Sequence, residues 1–269
     1  MHATRRFLSR GRARIIAVLA GLAGVAVLVS PVGAAPLASK AVPSCQRTFV
    51  PSFPWSAAFW TRAFDSRPAP GVMLLDVTGT GAGPVPVPHF QALVRQAHRH
   101  GVKVLGYSST ENGQRPASAV EADARHYRAW YRIDGMFLDV VAADRSHLPY
   151  YRRLASYIRR VSPRAVIWLN PGSFPDPAYL QVANVVVDFE GPYASYRGLQ
   201  VPGWVRHYRS TRFAQVIHDT PRADLRNAVR LGRARRAGYL YVTDQGGEDP
   251  YRVMPSYWTQ EVATVAARC

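Results

Sequence analysis

The chain contains little cysteine, and this narrows the classes of protein to which it can belong. Cys45 and Cys269 are its only cysteines, and no histidine cluster accompanies them, which argues against a structural zinc site. With 269 residues, of which 48% are hydrophobic, the chain can bury a large core without a disulfide framework. The composition therefore excludes a disordered tail and a disulfide-stapled miniature domain.

Lysine is almost absent, and acidic residues are few. Lys40 and Lys103 are the only lysines, so that 32 of the 34 basic residues are arginine, against 17 acidic residues and a formal charge of +17. The arginines are spread over every segment instead of being clustered on one element, which a nucleic-acid interface would require. We therefore expect no nucleic-acid partner.

Beyond residue 34 the sequence has no apolar run of membrane-spanning length. Residues 1–14 carry five arginines and no acid, residues 15–29 are apolar, and the small residues Gly33 and Ala34 follow. This pattern predicts a signal peptide over 1–34, a short mature segment over 35–44 and a single domain over 45–269. We expect a secreted, monomeric protein that does not insert stably into a membrane after cleavage; an uncleaved amino-terminal anchor is the alternative.

Short apolar runs, rich in β-branched and aromatic residues, alternate with helical patterns along the mature chain. Most are continuous, as in parallel strands that are covered on both faces. Eight repeats in this length predict an α/β fold, a single-domain (β/α)8 barrel of the TIM type; an open doubly wound sheet is the rival. The predicted strands are Thr48–Phe53, Val72–Val77, Val102–Tyr107, Gly135–Val140, Ala165–Leu169, Val185–Phe189, Phe213–His218 and Tyr239–Thr243.

The two cysteines bear on the choice between barrel and open sheet. Cys45 precedes the first strand, and Cys269 ends the helix predicted to run from Pro255-Ser256 to the end of the chain. In a closed barrel the start of strand one and the end of helix eight meet at the same face, whereas an open sheet has no reason to bring them together. We therefore predict a disulfide between Cys45 and Cys269, as exported proteins seldom leave thiols unpaired.

Polar residues stand where the predicted strands end, which is where the chemistry of such barrels collects. For Asp76 and Asp244, a helix cap or an arginine contact is an equally good interpretation. His218, next to Asp219, could be an acid–base pair, a loop contact or a ligand for a sugar hydroxyl. Tyr193 and other aromatic residues could stack on sugar rings or simply pack. The predicted substrate-binding residues are Asp76, Tyr107, Asn170, Tyr193, His218 and Asp244.

Two of the acidic residues at strand ends are candidates for catalysis. Asp139 ends predicted strand four in apolar surroundings, and Glu190 ends strand six, although Asp188 on the same strand face could instead point inward. Side chains from these two strands would approach within about 5–10 Å across the barrel mouth. Paired carboxyl groups at such separations are those of glycoside hydrolases. We find no serine elbow, phosphate loop or metal-ligand motif, and expect no cofactor and no metal.

A series of short motifs, spread in order over the mature chain, resembles the spherulation-specific family 4, the spherulin-4-like proteins. These motifs are Val50-Pro51, Gly106-Tyr107 with Thr110 and Gly113, Trp130-Tyr131, Asp134 through Asp139, Tyr150-Tyr151, Leu169 through Gly172, Phe189-Glu190, Tyr241 through Asp244, and Pro255 through Trp258.

The resemblance implies a secreted (β/α)8 glycoside hydrolase that cleaves α-1,4-linked N-acetylgalactosamine in a cell-wall or extracellular polysaccharide. It places the catalytic carboxylates on Asp139 and Glu190. The family commonly carries Asp-Glu where this chain has Asp139-Val140, and an asparagine-rich segment after strand two is altered here. A non-catalytic polysaccharide-binding barrel is therefore the alternative function, and an arginine-rich envelope protein that binds anionic wall polymers is a third hypothesis.

Overall fold

A computed structural model describes residues 45–53 and 56–267 of the chain. The predicted signal peptide over 1–34 and the segment 35–44 lie outside the described residues, and so does Cys269. Among the described helices, none is both long enough and apolar enough to cross a lipid bilayer.

The described residues form eight parallel strands that close into one barrel, each strand pairing with the next and the first with the last. Closure is made by Arg47 and Thr48, which pair with Tyr239 and Leu240. The predicted single-domain barrel is thus confirmed, and the open-sheet rival is excluded. The strands are β1 (Arg47–Val50), β2 (Val72–Leu75), β3 (Lys103–Ser109), β4 (Gly135–Asp139), β5 (Val166–Leu169), β6 (Val185–Pro192), β7 (Phe213–His218) and β8 (Tyr239–Val242).

Seven α-helices surround the strands in the described part of the chain, and short turns of 3-10 helix complete the outer layer. After β5 a 3-10 turn over Pro177–Gln181 takes the place of a full helix. The helices are α1 (Ala57–Phe64), α2 (Pro88–Arg99), α3 (Ala117–His126), α4 (Leu148–Val161), α5 (Tyr193–Arg197), α6 (Leu225–Ala234) and α7 (Trp258–Ala266).

The third helix, α3, does not keep regular α-helical geometry up to the end of its helical segment. It ends at His126 and widens into a π-helical turn over Tyr127–Tyr131, which stops at Arg132 in the left-handed region with φ of 55°. The buried ring of Tyr127 covers Gly106 of β3, where an added Cβ would lie only 2.6 Å from the ring. The wider turn seats this large ring against the strand, an arrangement to which helical periodicity gives no clue.

Aromatic side chains fill the barrel interior below its carboxyl end. The ring of Trp168 lies 5.3 Å from that of Phe49, 6.4 Å from Phe137 and 4.7 Å from Tyr239, measured between ring centroids. Phe49 and Phe137, together with Leu74 and Val216, form the apolar floor of the cavity above. The packed interior therefore confines any ligand to the mouth of the barrel.

A bulge in β6 sets the faces on which its acidic residues lie. Pairing with β7 shifts register between Val187 and Phe189, so that Asp188 is an extra residue on the strand. Without this bulge Asp188 and Glu190 would share one face. With it, Asp188 is fully buried and accepts a hydrogen bond from Gln215, while Glu190 lines the cavity.

At the opposite end of the barrel, Cys45 lies close to the carboxyl end of α7. Cys45 is exposed and lines the same surface depression as Val262 and Ala266. Cys269 follows Ala266 by three residues, a span of at most about 10 Å. The predicted disulfide remains a prediction, because Cys269 is outside the described residues.

Candidate active site

The carboxyl ends of the strands surround a cavity of about 620 Å³. Its polar lining comes from the ends of β2 to β6 and from the segment after β8. The cavity is lined by Phe49, Pro51, Phe53, Leu74, Asp76, Thr78, Gly79, Tyr107, Phe137, Asp139, Asn170, Glu190, Val216, Asp249, Tyr251 and Arg252.

One amide group joins the two candidate catalytic carboxylates. Asn170 Nδ2 donates to Asp139 Oδ1 at 2.7 Å and to Glu190 Oε2 at 2.6 Å. Because both oxygens lie within 2.7 Å of one nitrogen, they are at most about 5.4 Å apart. The amide is itself oriented, since Asn170 Oδ1 accepts a hydrogen bond from the backbone N–H of Gly172 at 3.0 Å. Asn170 thus fixes the spacing of the pair.

Two phenol groups complete the hydrogen bonding of the carboxylates. Tyr251 donates to Glu190 Oε1, and Tyr107 is hydrogen-bonded to Asp139. Burial, together with the nearby carboxylates, raises the pKa of both phenols well above the ordinary value, which keeps them protonated as donors. The ring of Phe53 lies 5.4 Å from Tyr107 and 5.7 Å from Tyr251 and so packs against both.

The surroundings of Asp139 favour the protonated form of its carboxyl group. Burial and then the negative charge of Glu190 raise the pKa of Asp139 to about 6, against the opposing hydrogen bonds from Tyr107 and Asn170. A carboxyl group with such a pKa is partly protonated near neutral pH and can donate a proton to a leaving group.

The backbone at the end of β4 is held by Thr110, the residue that follows β3. The Thr110 hydroxyl contacts the carbonyl oxygens of Asp139 and Val140 at 2.9 and 2.8 Å, and the Tyr151 hydroxyl at 3.0 Å. Val140 has φ of 49°, a conformation that a β-branched residue rarely adopts. Its side chain is 42% exposed and does not line the cavity. These contacts fix the direction in which Asp139 leaves the strand.

Asp76 lies in the cavity but also holds its own loop. Its Oδ1 accepts from the backbone N–H groups of Thr78 at 3.2 Å and Gly79 at 2.9 Å. Burial is the largest influence on Asp76 and raises its pKa to about 6 in spite of these bonds. Asp76 therefore both caps its own loop and lines the cavity.

Three of the predicted substrate-binding residues lie outside the cavity lining. His218 Nδ1 pairs with Asp219 at 2.7 Å. Asp244 accepts from the backbone N–H of Ser256 at 3.0 Å; burial raises its pKa, but several hydrogen bonds together outweigh burial and lower the pKa below the ordinary value. Tyr193 is buried, with its hydroxyl between Asp224 and Asn227. By contrast, the cavity brings together Asp76, Tyr107, Asp139, Asn170 and Glu190.

Sequence reasoning missed the contribution of the segment after β8. Tyr251 reaches Glu190 from 61 positions further along the chain, and Asp249 and Arg252 line the same cavity. The only sequence feature that could have indicated this contribution is Tyr251 itself, an aromatic residue in a glycine- and proline-containing loop that follows a strand end. Within the described residues, no group of three or more His, Cys, Asp or Glu side chains could hold a metal ion.

A closed parallel barrel with two acids joined at the carboxyl ends of its strands defines a glycoside-hydrolase-like (β/α)8 barrel. The model of spherulation-specific family 4 matches residues 49–265, and the chain belongs to that family. It is 26% identical over 235 residues to Spherulin-4 of Physarum polycephalum, covering 82% of this chain and 70% of the relative.

Solved structures share the fold. Sph3 of Aspergillus clavatus, in complex with GalNAc, superposes with a TM-score of 0.74 at 23% identity, covering 84% of this chain and 99% of that one. A chitinase from Rhizomucor miehei superposes with a TM-score of 0.53 at 10% identity, covering 82% and 99%. At these identities the two structures support the barrel architecture alone.

Proposed function

We propose that the protein is a secreted endo-acting glycoside hydrolase that cleaves a polysaccharide containing N-acetylated amino sugars, with Asp139 and Glu190 as its catalytic carboxylates. The observation that carries the proposal is the single Asn170 amide that joins these two carboxylates inside the cavity. The amino-sugar substrate is proposed by analogy, because the structures of this fold include a GalNAc complex and a chitinase.

The two carboxylates take different roles in this reaction. Asp139, whose pKa burial raises to about 6, protonates the glycosidic oxygen as the bond to the anomeric carbon breaks. Glu190 accepts hydrogen bonds from Asn170 and Tyr251, which hold its carboxylate in place. Its carboxylate faces the same space and attacks the anomeric carbon.

The separation of the two groups favours a retaining mechanism. Retaining enzymes hold their carboxyl groups about 5–5.5 Å apart, whereas inverting enzymes need about 6.5–9.5 Å to admit a water molecule. The oxygens bridged by Asn170 are at most about 5.4 Å apart, which is closer than an inverting enzyme requires. Glu190 then forms a glycosyl ester, and Asp139, now ionised, takes a proton from the water that hydrolyses this ester.

The test is release of reducing ends from an α-1,4-linked N-acetylgalactosamine polymer. Asp139→Asn and Glu190→Gln are each expected to lower the rate by at least about 1,000-fold with an unchanged circular dichroism spectrum. The matched controls, Asp65→Asn and Glu121→Gln, change carboxylates that form surface pairs with His100 and Arg153, and should keep full activity. Full activity in either cavity variant would refute the assignment.

A polysaccharide-binding barrel without hydrolysis is the second candidate function. The observation in its favour is Val140, which cannot ionise, next to Asp139. Wild-type protein that is retained on the polymer but releases no reducing ends would establish this alternative.

A further inference from the structure

We propose that the groove between α6 and α7 is a docking surface for a linear polymer of phosphodiester-linked polyols. The groove has a volume of about 850 Å³, against about 620 Å³ for the catalytic cavity, and shares no lining residue with it. It is lined by Arg226, Arg230, Arg233, Ala234, Gln260, Ala263, Thr264 and Ala267.

Three arginines form one wall of the groove. Arg226, Arg230 and Arg233 stand at positions i, i+4 and i+7 of α6, on one helix face and about 6 and 10 Å along its axis. Arg226 and Arg230 are exposed, and neither forms an ion pair with a described carboxylate. Arg233 contacts α7, whereas the guanidinium groups of Arg226 and Arg230, one helical turn apart, can contact successive anionic groups of one extended chain.

The groove has little opposing negative charge and a fixed width. Helix α6 contains no acidic residue, and Glu261, the acid of α7, is fully buried on the side that faces β8. Arg233 Nη2 donates to the carbonyl oxygens of Thr264 and Val265 at 2.7 and 2.9 Å and so ties the two helices together. These hydrogen bonds therefore fix the distance between helix α6, which carries the arginines, and helix α7.

The lining of the groove favours a phosphate polymer without rings. Sugar rings and the bases of single-stranded nucleic acids stack on aromatic side chains, and none lines this groove. Membrane docking needs an exposed apolar face, but the exposed large hydrophobic residues of the described chain, Val85, Val140 and Val253, all lie outside α6 and α7. Small side chains opposite a row of guanidinium groups fit a narrow polyol phosphate chain.

Binding of the intact protein to poly(glycerol phosphate), measured at several salt concentrations, tests the proposal. The double variant Arg226→Gln/Arg230→Gln is expected to bind about tenfold more weakly and to show a shallower dependence of log K on log salt. The matched control is Arg95→Gln/Arg99→Gln, which removes the same charge from two exposed arginines, also four residues apart, on α2. Its affinity should stay within about twofold of the wild type.

The outcomes separate this groove from the general basic charge of the protein. Equal losses in the two double variants would mean that net charge alone binds the polymer, and would overturn the proposal. The proposal would also be overturned if polygalacturonate, single-stranded DNA or anionic lipid vesicles bound more tightly than poly(glycerol phosphate) and if Arg226→Gln/Arg230→Gln abolished that binding. The rate of hydrolysis at the barrel mouth should be the same in the wild type and in the two double variants.

Discussion

The buried carboxyl group of Asp188 makes a sharp prediction about how stability depends on pH. Asp188 has no exposed surface, and its Oδ1 accepts from Gln215 Nε2 at 3.0 Å while Oδ2 lacks a partner within the described chain. Burial raises the pKa of Asp188 from 3.8 to about 8. Between pH values of about 4 and 8, the folded protein therefore keeps a proton on Asp188 that the unfolded chain releases. Because of this difference, the free energy of unfolding falls as pH rises from about 4 to 8.

The size of this effect follows from the pKa difference. Each unit of pKa shift corresponds to about 1.4 kcal/mol, so that at pH 7 ionisation of the unfolded chain costs up to about 4 kcal/mol of stability. Asp188→Asn has nearly the shape and hydrogen bonding of the protonated acid but releases no proton. We expect the variant to match the wild type near pH 4 and to be more stable by up to about 4 kcal/mol at pH 7.

The assay is urea unfolding followed by circular dichroism at pH 4, 5.5 and 7. The exposed Asp65→Asn variant is the control, and its difference from the wild type should stay within about 0.5 kcal/mol at each pH. If the free energies of unfolding of Asp188→Asn and the wild type differed by the same amount at every pH, the reasoning would be refuted. Such a result would show that folding does not raise the pKa of Asp188.

Three further predictions concern the active site and the chain ends. Tyr251→Phe removes the hydrogen bond to Glu190 and should lower kcat about 10- to 100-fold without changing the circular dichroism spectrum; an unchanged kcat would show that this contact does not support catalysis. The kcat/KM of hydrolysis should fall as pH rises through about 6, because Asp139 must carry its proton to act as an acid; a rate that stays constant from pH 5 to 8 would contradict that role. Oxidised protein should contain no free thiol, and Cys45→Ser should lower its free energy of unfolding by up to about 5 kcal/mol; an equal midpoint for the oxidised wild type and the variant would exclude the link to Cys269.

The barrel could be predicted because its signals are local. Each strand is a short run of β-branched and aromatic residues that must be buried on both faces, and eight such runs fit few architectures. The residues that end the runs, among them Asp139, Asn170 and Glu190, then follow from their place at the carboxyl end of the sheet. No long-range information is needed for these steps.

Which strand-end residues meet was decided by tertiary structure. His218 and Asp244 lie near strand ends as Glu190 does, yet His218 pairs with Asp219 and Asp244 accepts from Ser256, and neither lines the cavity. Tyr193 begins α5, where its hydroxyl is turned to α6, a direction that residue type does not specify.

The sequence by itself determined the class of fold, the order of the strands and the set of acids at their ends, since these depend on hydrophobic pattern and chain length. Only the folded chain decided that a bulge turns Asp188 away from Glu190, and that Asn170 joins two carboxylates from β4 and β6. It also brought Tyr251 to Glu190 from a distant loop. Contacts of this kind depend on register and loop path, which are set by packing among residues far apart in the chain and leave no periodic trace in it.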